Sequence, residues 1–402
     1  MWLVAPVSLI LVAVLAYGLY HAVDVFLTAE NPGKKPVSGQ DNVKTTVTAL
    51  TLVGAVLAGL YAYRKQLLDE GASHRADATQ LAERYTKAAE QLGHEQAAVR
   101  LAGVYAMARL ADDWQEQRRV CVDVLCAYLR MPYETDTGAE GFMKGEREVR
   151  LTIIRTIRDH LQDPAAATTW CGYDLDFTGA VFDGGDFADA RFTGGLVNFG
   201  KATFSGLVDF SSAMFSGGAV DFYSATFSGS LVDFGSATFS GGAVRFFGGT
   251  FPRGTVSFNN AAFSSGMVDF DSAVFSDGRV DFFDATFSGG RAGFSHTTFS
   301  DGGVTFGDAT LSGGTLDFSD ATLSGGTLDF SGATFSGGTV NFSGATLHDE
   351  TIGFSNTTFS GGLVDFFDAT LLDGTVDFDG ARIHAACTIG WGPLPTVPVN
   401  QP

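Results

Sequence analysis

A phenylalanine recurs every twelve residues between Phe210 and Phe378, at fifteen consecutive positions. A second apolar residue follows each of them five positions later, from Phe215 to Ile383. A long register with a fixed period is the signature of a repeat architecture, in which each unit buries its apolar face against its neighbours. The sequence therefore predicts a solenoid as the main body of this chain.

Each twelve-residue repeat divides into a unit of five residues and a unit of seven. Residues 237–241 read A-T-F-S-G, two residues are inserted, and residues 244–248 read V-R-F-F-G. Many insertions begin with two glycines, as at Gly217 and Gly218, which predicts corners where the backbone turns through positive φ. Two repeats then make one four-sided coil of twenty-four residues. A flattened, two-stranded coil made of a single twelve-residue repeat is the alternative.

The solenoid region opens with uninterrupted spacing of five, at Phe177, Phe182, Phe187 and Phe192. With the units G-G-D-F-A, D-A-R-F-T and S-A-T-F-S, this spacing resembles the pentapeptide-repeat family. The resemblance covers about residues 172–385. It implies a mainly β fold, a right-handed quadrilateral β-helix of about nine coils.

Alternation along each strand predicts which side chains face inward. In V-x-F and A-x-F the outer letters share one face and the middle letter faces out, so Phe, Val and Ala are expected to fill the core. One outward row is rich in aspartate and supplies the candidate acidic interaction faces: Asp209, Asp221, Asp233, Asp269, Asp281, Asp317, Asp329, Asp365 and Asp377. A second outward row is rich in threonine: Thr226, Thr238, Thr286, Thr310, Thr322, Thr334, Thr346 and Thr370.

The charge of the chain is concentrated on the repeats. The net charge is −20, and from Cys171 onward 25 acidic residues face 7 basic ones, which leaves −18. Such a field repels nucleic acid and attracts basic partners, so a basic protein is the expected partner and direct nucleic-acid binding is not expected. The sequence therefore favours a non-catalytic scaffold with an acidic surface.

Two other functions stay open. The resemblance implies the first, because some pentapeptide-repeat proteins imitate DNA and bind type II topoisomerases. The threonine row suggests the second, a surface-binding or ice-binding protein, although threonine is also simply a good strand residue.

The N-terminal region predicts a membrane hairpin. Residues 1–27 and residues 45–65 are apolar and long enough to cross a bilayer as helices, and residues 28–44 form a polar loop between them. Membrane lipid is thus an expected partner of residues 2–27 and 45–63.

The end of the second apolar run predicts the orientation of the hairpin. Tyr61, Tyr63, Arg64 and Lys65 have the composition of a cytoplasmic interface anchor. The expected location is the cytoplasmic membrane of a bacterium, with the loop outside and the following domains in the cytoplasm.

The remaining regions are divided by composition. Residues 66–168 are rich in Ala, Leu, Glu and Arg and predict a helical adaptor that caps the solenoid. The helices are expected at residues 76–92, 95–110, 114–128 and 146–161. The β-helix is expected at residues 169–386 and a proline-rich tail at residues 387–402, with Trp391 over the last coil.

No sequence motif points to catalysis, a metal or a cofactor. Phosphate-binding loops, nucleophile elbows and zinc-protease motifs are missing from the sequence, and no enzymatic activity is expected. The cysteines have no metal-ligand spacing and are predicted to be reduced, mostly buried thiols. They are Cys121, Cys126, Cys171 and Cys387.

Overall fold

The computed structural model describes residues 4–29, 39–348 and 351–394. The chain divides into two compact units, Met1–Ala82 and Glu83–Pro402. Its helices are α1 (Val4–Ala29), α2 (Gly39–Leu92), α3 (Ala97–Asp113), the 3₁₀-helix Gln115–Gln117, α4 (Arg118–Arg130) and α5 (Glu146–Leu161).

Helix α2 joins two segments that the sequence analysis separates. The predicted second span, residues 45–65, and the predicted helix at residues 76–92 lie in one continuous helix. Residues 66–75 contain a single glycine and no proline, and most of them favour a helix, so no residue stops the helix after Lys65. The predicted helix at residues 114–128 begins as a 3₁₀ turn and becomes α-helical only at Arg118.

One described segment is long and apolar enough to cross a bilayer. It is Gly39–Leu68, 30 residues that contain an 18-residue window with a mean hydropathy of 1.7. Ala13–Phe26 is apolar but shorter, and residues 30–38 of the predicted loop lie outside the described residues. The two-helix hairpin therefore stays a prediction.

The second unit contains a parallel β-solenoid built from two long sheets. Sheet A consists of Leu175–Asp176, Arg191–Phe192, Leu196–Asn198, Met214–Phe215, Ala219–Asp221, Thr238–Phe239, Ala243–Arg245, Ala262–Phe263, Met267–Asp269, Thr286–Phe287, Arg291–Gly293, Thr310–Leu311, Thr315–Asp317, Thr334–Asn341, Thr358–Asp365, Arg382–Ile383 and Cys387–Gly390. Sheet B consists of Val181–Phe182, Gly185–Asp186, Thr203–Phe204, Val208–Asp209, Thr226–Asp233, Thr250–Ser257, Val274–Phe275, Arg279–Asp281, Thr298–Phe299, Gly303–Thr305, Thr322–Ser324, Thr327–Asp329, Thr346–His348, Thr351–Gly353, Thr370–Leu372 and Thr375–Asp377.

The register settles the size of the coil. Phe239 pairs with Phe263, and Phe263 pairs with Phe287 in the next coil, so each pairing spans two repeats. The alternative of one repeat per coil is therefore wrong. Each coil contributes one twelve-residue repeat to each sheet. The first coils are slightly shorter, because Leu175 pairs with Val197, just short of two full repeats.

The predicted core is confirmed. The phenylalanines of the twelve-residue row are buried from Phe210 to Phe366, as are the Val and Ala residues that precede most of them. Each ring stacks on its counterpart one coil away, for example Phe222 on Phe246 at 4.7 Å between ring centroids. These stacks run the length of the solenoid because every coil places the same residue at the same point.

Two kinds of corner close the coil. Glycine pairs turn through positive φ at several insertions, as at Gly218 and Gly338. They also permit close stacking, because a Cβ on Gly217 would lie 2.6 Å from the carbonyl oxygen of Thr193. The corner between the two sheets is different: there Ser212 takes φ 58°, and the Ala213 amide donates to the Phe210 carbonyl at 3.1 Å. A corner at this point follows from the predicted four-sided coil, but its positive φ was not predicted, because serine and aspartate, as well as glycine, occupy it.

The C-terminal end of the solenoid extends beyond the predicted boundary at residue 386. The last strand, Cys387–Gly390, pairs with Thr358–Asp365. Trp391 then lies against Phe378 with 5.5 Å between the ring centroids, which covers the last coil as predicted. Residues 395–402 of the predicted tail lie outside the described residues.

Candidate functional site

The predicted aspartate row divides between the two sheets. Sheet A carries Asp221, Asp269, Asp317 and Asp365. Sheet B carries Asp209, Asp233, Asp281, Asp329 and Asp377. All nine side chains are half-buried. The structure thus brings the nine residues together as two columns, each parallel to the stack of coils.

In each column, aspartates alternate with uncharged or basic residues over most of the length. In sheet B the residues between successive aspartates are Ser257, Thr305 and Gly353. In sheet A they are Arg245, Gly293 and Asn341. Coils stack about 4.8 Å apart, so most carboxylates in a column are about 10 Å from the next one. This spacing weakens the repulsion that a continuous aspartate ladder would produce.

Each of the nine aspartates also closes a turn. One carboxylate oxygen, Oδ1, accepts the amide of the residue two positions later, as Asp233 does from Gly235 at 2.8 Å. Asn198 and Asn341 do the same in their coils. The other oxygen, Oδ2, is left for other partners. This structural task explains why aspartate predominates in the row and why Asn341, Ser257 and Thr305, which accept the same amide, can replace it.

The turn predicts opposite results for two substitutions of Asp233. Asp233→Ala removes the acceptor of the Gly235 amide and is expected to lower the free energy of unfolding by about 1 kcal/mol. Asp233→Asn keeps the acceptor and relieves repulsion with Asp209 in the paired strand, so stability should be unchanged or slightly higher. Denaturant unfolding checks both. Equal losses in the two variants would show that charge, and not the turn, is what matters.

In the first coil, arginines of the helical region bind the aspartates at the start of both columns. Asp176 and Asp186 stand at the head of the two columns, in register with Asn198 and Asp209. The Oδ2 atom of Asp176 accepts a hydrogen bond from Arg130 of α4. Burial by itself raises the pKa of the Asp176 carboxyl. The hydrogen bonds from Thr178 and the charge of Arg130 outweigh this effect, so the pKa lies below its ordinary value.

An arginine of helix α5 binds the first aspartate of the sheet B column in the same way. Arg158 donates to Oδ2 of Asp186, while Oδ1 of Asp186 accepts the Ala188 amide. Nearer the start of the helix, Arg147 donates to Asp183 at 2.9 Å. Ile154 packs where a side chain on Gly185 would lie, since a Cβ there would be 3.3 Å from the Ile154 Cδ1 atom. The helical region therefore caps the solenoid through arginine–aspartate pairs around an apolar contact.

An acidic cluster around one arginine lies on sheet A. Arg291 donates to Oδ2 of Asp317 at 2.8 Å and lies 3.9 Å from Asp271. Burial raises the pKa of the Asp271 carboxyl above its ordinary value, and the charge of Asp269 adds to that effect. Asp271 was outside the predicted row, because it follows a core phenylalanine instead of preceding it.

Sheet B has a shallow depression of about 370 Å³ between two of its aspartates. Asp281 and Asp329 lie on its rim with Thr305 between them in the column. Gly303 also lines the depression, and a Cβ there would lie 2.8 Å from the Thr327 carbonyl oxygen, so the next coil leaves no room for a larger residue at this position. Arg279 lies on the rim as well. Among the described residues, neither Asp281 nor Asp329 forms an ion pair.

The predicted threonine row is also split. Thr226, Thr322, Thr346 and Thr370 lie in sheet B, and Thr238, Thr286, Thr310 and Thr334 lie in sheet A. Val274 interrupts the sheet B column between Thr250 and Thr298. No single flat row of the eight threonines is formed.

The predicted interface anchors lie close together within α2. Tyr61 and Tyr63 are exposed, with 72% and 61% of their surface accessible, and Arg64 and Lys65 are exposed as well. These exposures are compatible with an interface anchor, which stays a prediction.

The cysteines do not form a reactive or metal-binding group in the described part of the chain. All four are free thiols, of which Cys121 and Cys126 are buried. Burial raises the pKa of Cys121 to about 11 and the pKa of Cys126 to about 12. No group of His, Cys, Asp and Glu suited to a metal ion occurs among the described residues.

Comparison with known proteins agrees with the repeat pattern. The family model for pentapeptide repeats matches residues 177–226 and 313–352, in nine copies. Neither the comparison with curated proteins nor that with solved structures found a match. The matched segments carry pentapeptide repeats in a parallel β-solenoid, which supports the resemblance of this chain to the pentapeptide-repeat family.

Proposed function

We propose that this chain is a non-catalytic scaffold that holds an acidic β-solenoid near a membrane and docks a basic protein on it. The observation that carries the proposal is the pair of aspartate columns. Their Oδ1 atoms close turns, whereas Oδ2 atoms in the first coil bind arginines of the chain's own helices. Further coils repeat the same carboxylates without those helices.

The charge of the solenoid, its rigidity and the apolar segment of α2 support this proposal. The solenoid has a net charge of −18 from residue 171 onward, which attracts cations over its length. A continuous stack of buried rings makes it rigid, so a partner loses little free energy in ordering the surface. The apolar segment Gly39–Leu68 is the candidate membrane anchor, with Tyr61 to Lys65 at the cytoplasmic interface.

DNA mimicry is the second candidate, and the charge density favours it. About nine coils at about 4.8 Å each give a length of about 43 Å, so −18 corresponds to about one charge per 2.4 Å. Duplex DNA carries about one charge per 1.7 Å of axis. A DNA-binding enzyme such as a type II topoisomerase is therefore the alternative partner.

A capture experiment with a matched variant tests the proposal. In the variant, the nine aspartates of the two columns are replaced by asparagine, which keeps every turn acceptor. Proteins captured by the full chain in detergent should be basic, released by high salt and lost with the variant. Topoisomerase subunits among them would favour mimicry. Capture that is the same for both chains would contradict docking through the aspartate columns.

A further inference from the structure

We propose that the groove between helices α2 and α3 binds aspartates on the solenoid of a second copy of this chain. The groove of one copy then lies on the aspartate columns of the next, so that copies associate head to tail. Because the columns are the target, this assignment rests on the docking function proposed above and adds a partner to it.

The groove lies where the last turns of α2 pack against α3. The two helices approach closely at Gly103, where a Cβ would lie 2.7 Å from the Leu92 backbone nitrogen. Further along, Arg84 of α2 donates to Asp113 of α3 at 2.6 Å. Small alanine side chains line the helices between these two contacts and leave a groove of about 680 Å³.

Two cations in this groove are unpaired. Lys87 and Arg109 line it from opposite helices, and both are exposed. Neither forms an ion pair within the described part of the chain. Among the described residues that line the groove, Asp113 is the one carboxylate, and Arg84 already binds it. The groove therefore has a net charge of +2, from three cations and one carboxylate.

Arg109 differs from the other arginines of the helical region. Nine of the ten arginines between residues 83 and 170 bind a carboxylate or a backbone carbonyl. Arg130 and Arg158 are among them and bind aspartates of the first coil. Helices α4 and α5 contact that coil, whereas α3 packs against α4 and α5. No described residue of the solenoid lines the groove, so carboxylates for Arg109 are expected from another molecule.

The solenoid supplies carboxylates of the required kind. Of the nine aspartates in the columns, only Asp317 forms an ion pair among the described residues. The solenoid has a net charge of −18, which attracts a groove of opposite charge. A guanidinium binds a carboxylate with directional hydrogen bonds, and the ammonium of Lys87 adds a second charge. Because each copy has both surfaces, the contact is heterologous and can be repeated from copy to copy.

The test measures self-association of the full chain in a non-ionic detergent by sedimentation velocity, at several protein concentrations and at low and high salt. The groove variant is Lys87→Gln/Arg109→Gln. The column variant has asparagine in place of the nine aspartates, as in the capture experiment. The control variant, Arg119→Gln/Lys144→Gln, removes two positive charges elsewhere in the helical region. Thermal unfolding followed by circular dichroism checks that every variant is folded.

The unchanged chain should associate more strongly at low salt than at high salt, because salt screens exposed charges. The groove variant should lower the association constant about tenfold, since each exposed ion pair contributes a factor of a few. The column variant should lower it at least as much, although its smaller net charge reduces the repulsion between copies. The control variant should change the constant less than twofold.

A mixture of the two defective variants gives the sharpest result. The groove variant still presents its columns, and the column variant still presents its groove. Each alone should associate weakly, whereas the mixture should form unlike pairs about as strongly as the unchanged chain associates. Labelling each variant with a different dye identifies such pairs. Association of the mixture should stop at pairs, because each pair has used its intact groove and its intact columns.

Absence of self-association by the unchanged chain at low salt would overturn the proposal. Failure of the mixture to form unlike pairs, or an equal loss in the control variant, would overturn it as well. If the groove variant loses a different acidic protein in the capture experiment and the chain does not associate with itself, the groove has another partner. If capture of basic proteins still depends on the aspartates, the proposed function stands and only the second copy is wrong. If neither experiment depends on the aspartates, docking on the columns is wrong altogether.

Discussion

Phe263→Ala should lower the free energy of unfolding by about 3 to 5 kcal/mol. The ring of Phe263 is fully buried and stacks on Phe239 at 4.6 Å and on Phe287 at 4.5 Å between centroids. It also contacts Phe258 and Phe282 from the other phenylalanine row. Truncation leaves a cavity that the rigid neighbouring coils cannot close, and denaturant unfolding followed by circular dichroism measures the loss.

Phe263→Leu is the matched control. Leu311 stands one coil beyond Phe287 in the same column, so the solenoid already accepts leucine at this point. The expected loss is about 1 to 2 kcal/mol. Losses of the same size for leucine and alanine would contradict the cavity explanation and point to a specific need for ring stacking.

Glu146→Ala should destabilise the helical cap by about 3 to 5 kcal/mol. Glu146 pairs with Arg100 at 3.0 Å, and the two side chains are 9% and 2% exposed. The Tyr128 hydroxyl donates to the same carboxylate at 3.0 Å. Removing the carboxylate leaves a buried guanidinium without its counter-charge and a buried hydroxyl without its acceptor. Loss of helical circular dichroism at lower denaturant than in the unchanged chain reports the effect.

Two comparisons separate the charge from the hydrogen bond. Glu146→Gln keeps an acceptor for Tyr128 and should cost less than alanine, because only the charge pairing is lost. Arg119→Gln removes a pair with Asp174 at 3.0 Å whose side chains are 63% and 52% exposed, and its cost should be below about 1 kcal/mol. A comparable loss for Arg119→Gln would contradict the assignment of the large effect to burial.

Much of the solenoid could be predicted from residue periodicity. The spacing of Phe210, Phe222 and Phe234 is a local property of the chain, and alternation along each strand decides which side chains face inward. The helix at residues 146–161 was predicted with its observed bounds. The uninterrupted length of α2 was missed, since a change from apolar to polar composition does not end a helix.

The candidate site was predicted only in part. The nine aspartates were identified by residue, but their division into two columns depends on which coil lies beside which. The same holds for the depression at Gly303, where the neighbours Arg279 and Thr327 lie one full coil away, before and after it in the chain. The use of one oxygen for the turn depends on backbone conformation after the strand, which residue type alone leaves open.

The amino-acid sequence by itself determined the repeat, the inward rows of Phe, Val and Ala, and the acidic character of the outside, because each of these depends on residue type and spacing. Only the tertiary structure decided that two repeats form one coil, that Asp281 and Asp329 alternate with Thr305, and that arginines cover Asp176 and Asp186. These features arise from contacts between residues distant in sequence, so they exist only after the coils have stacked and the helices have packed against the first of them.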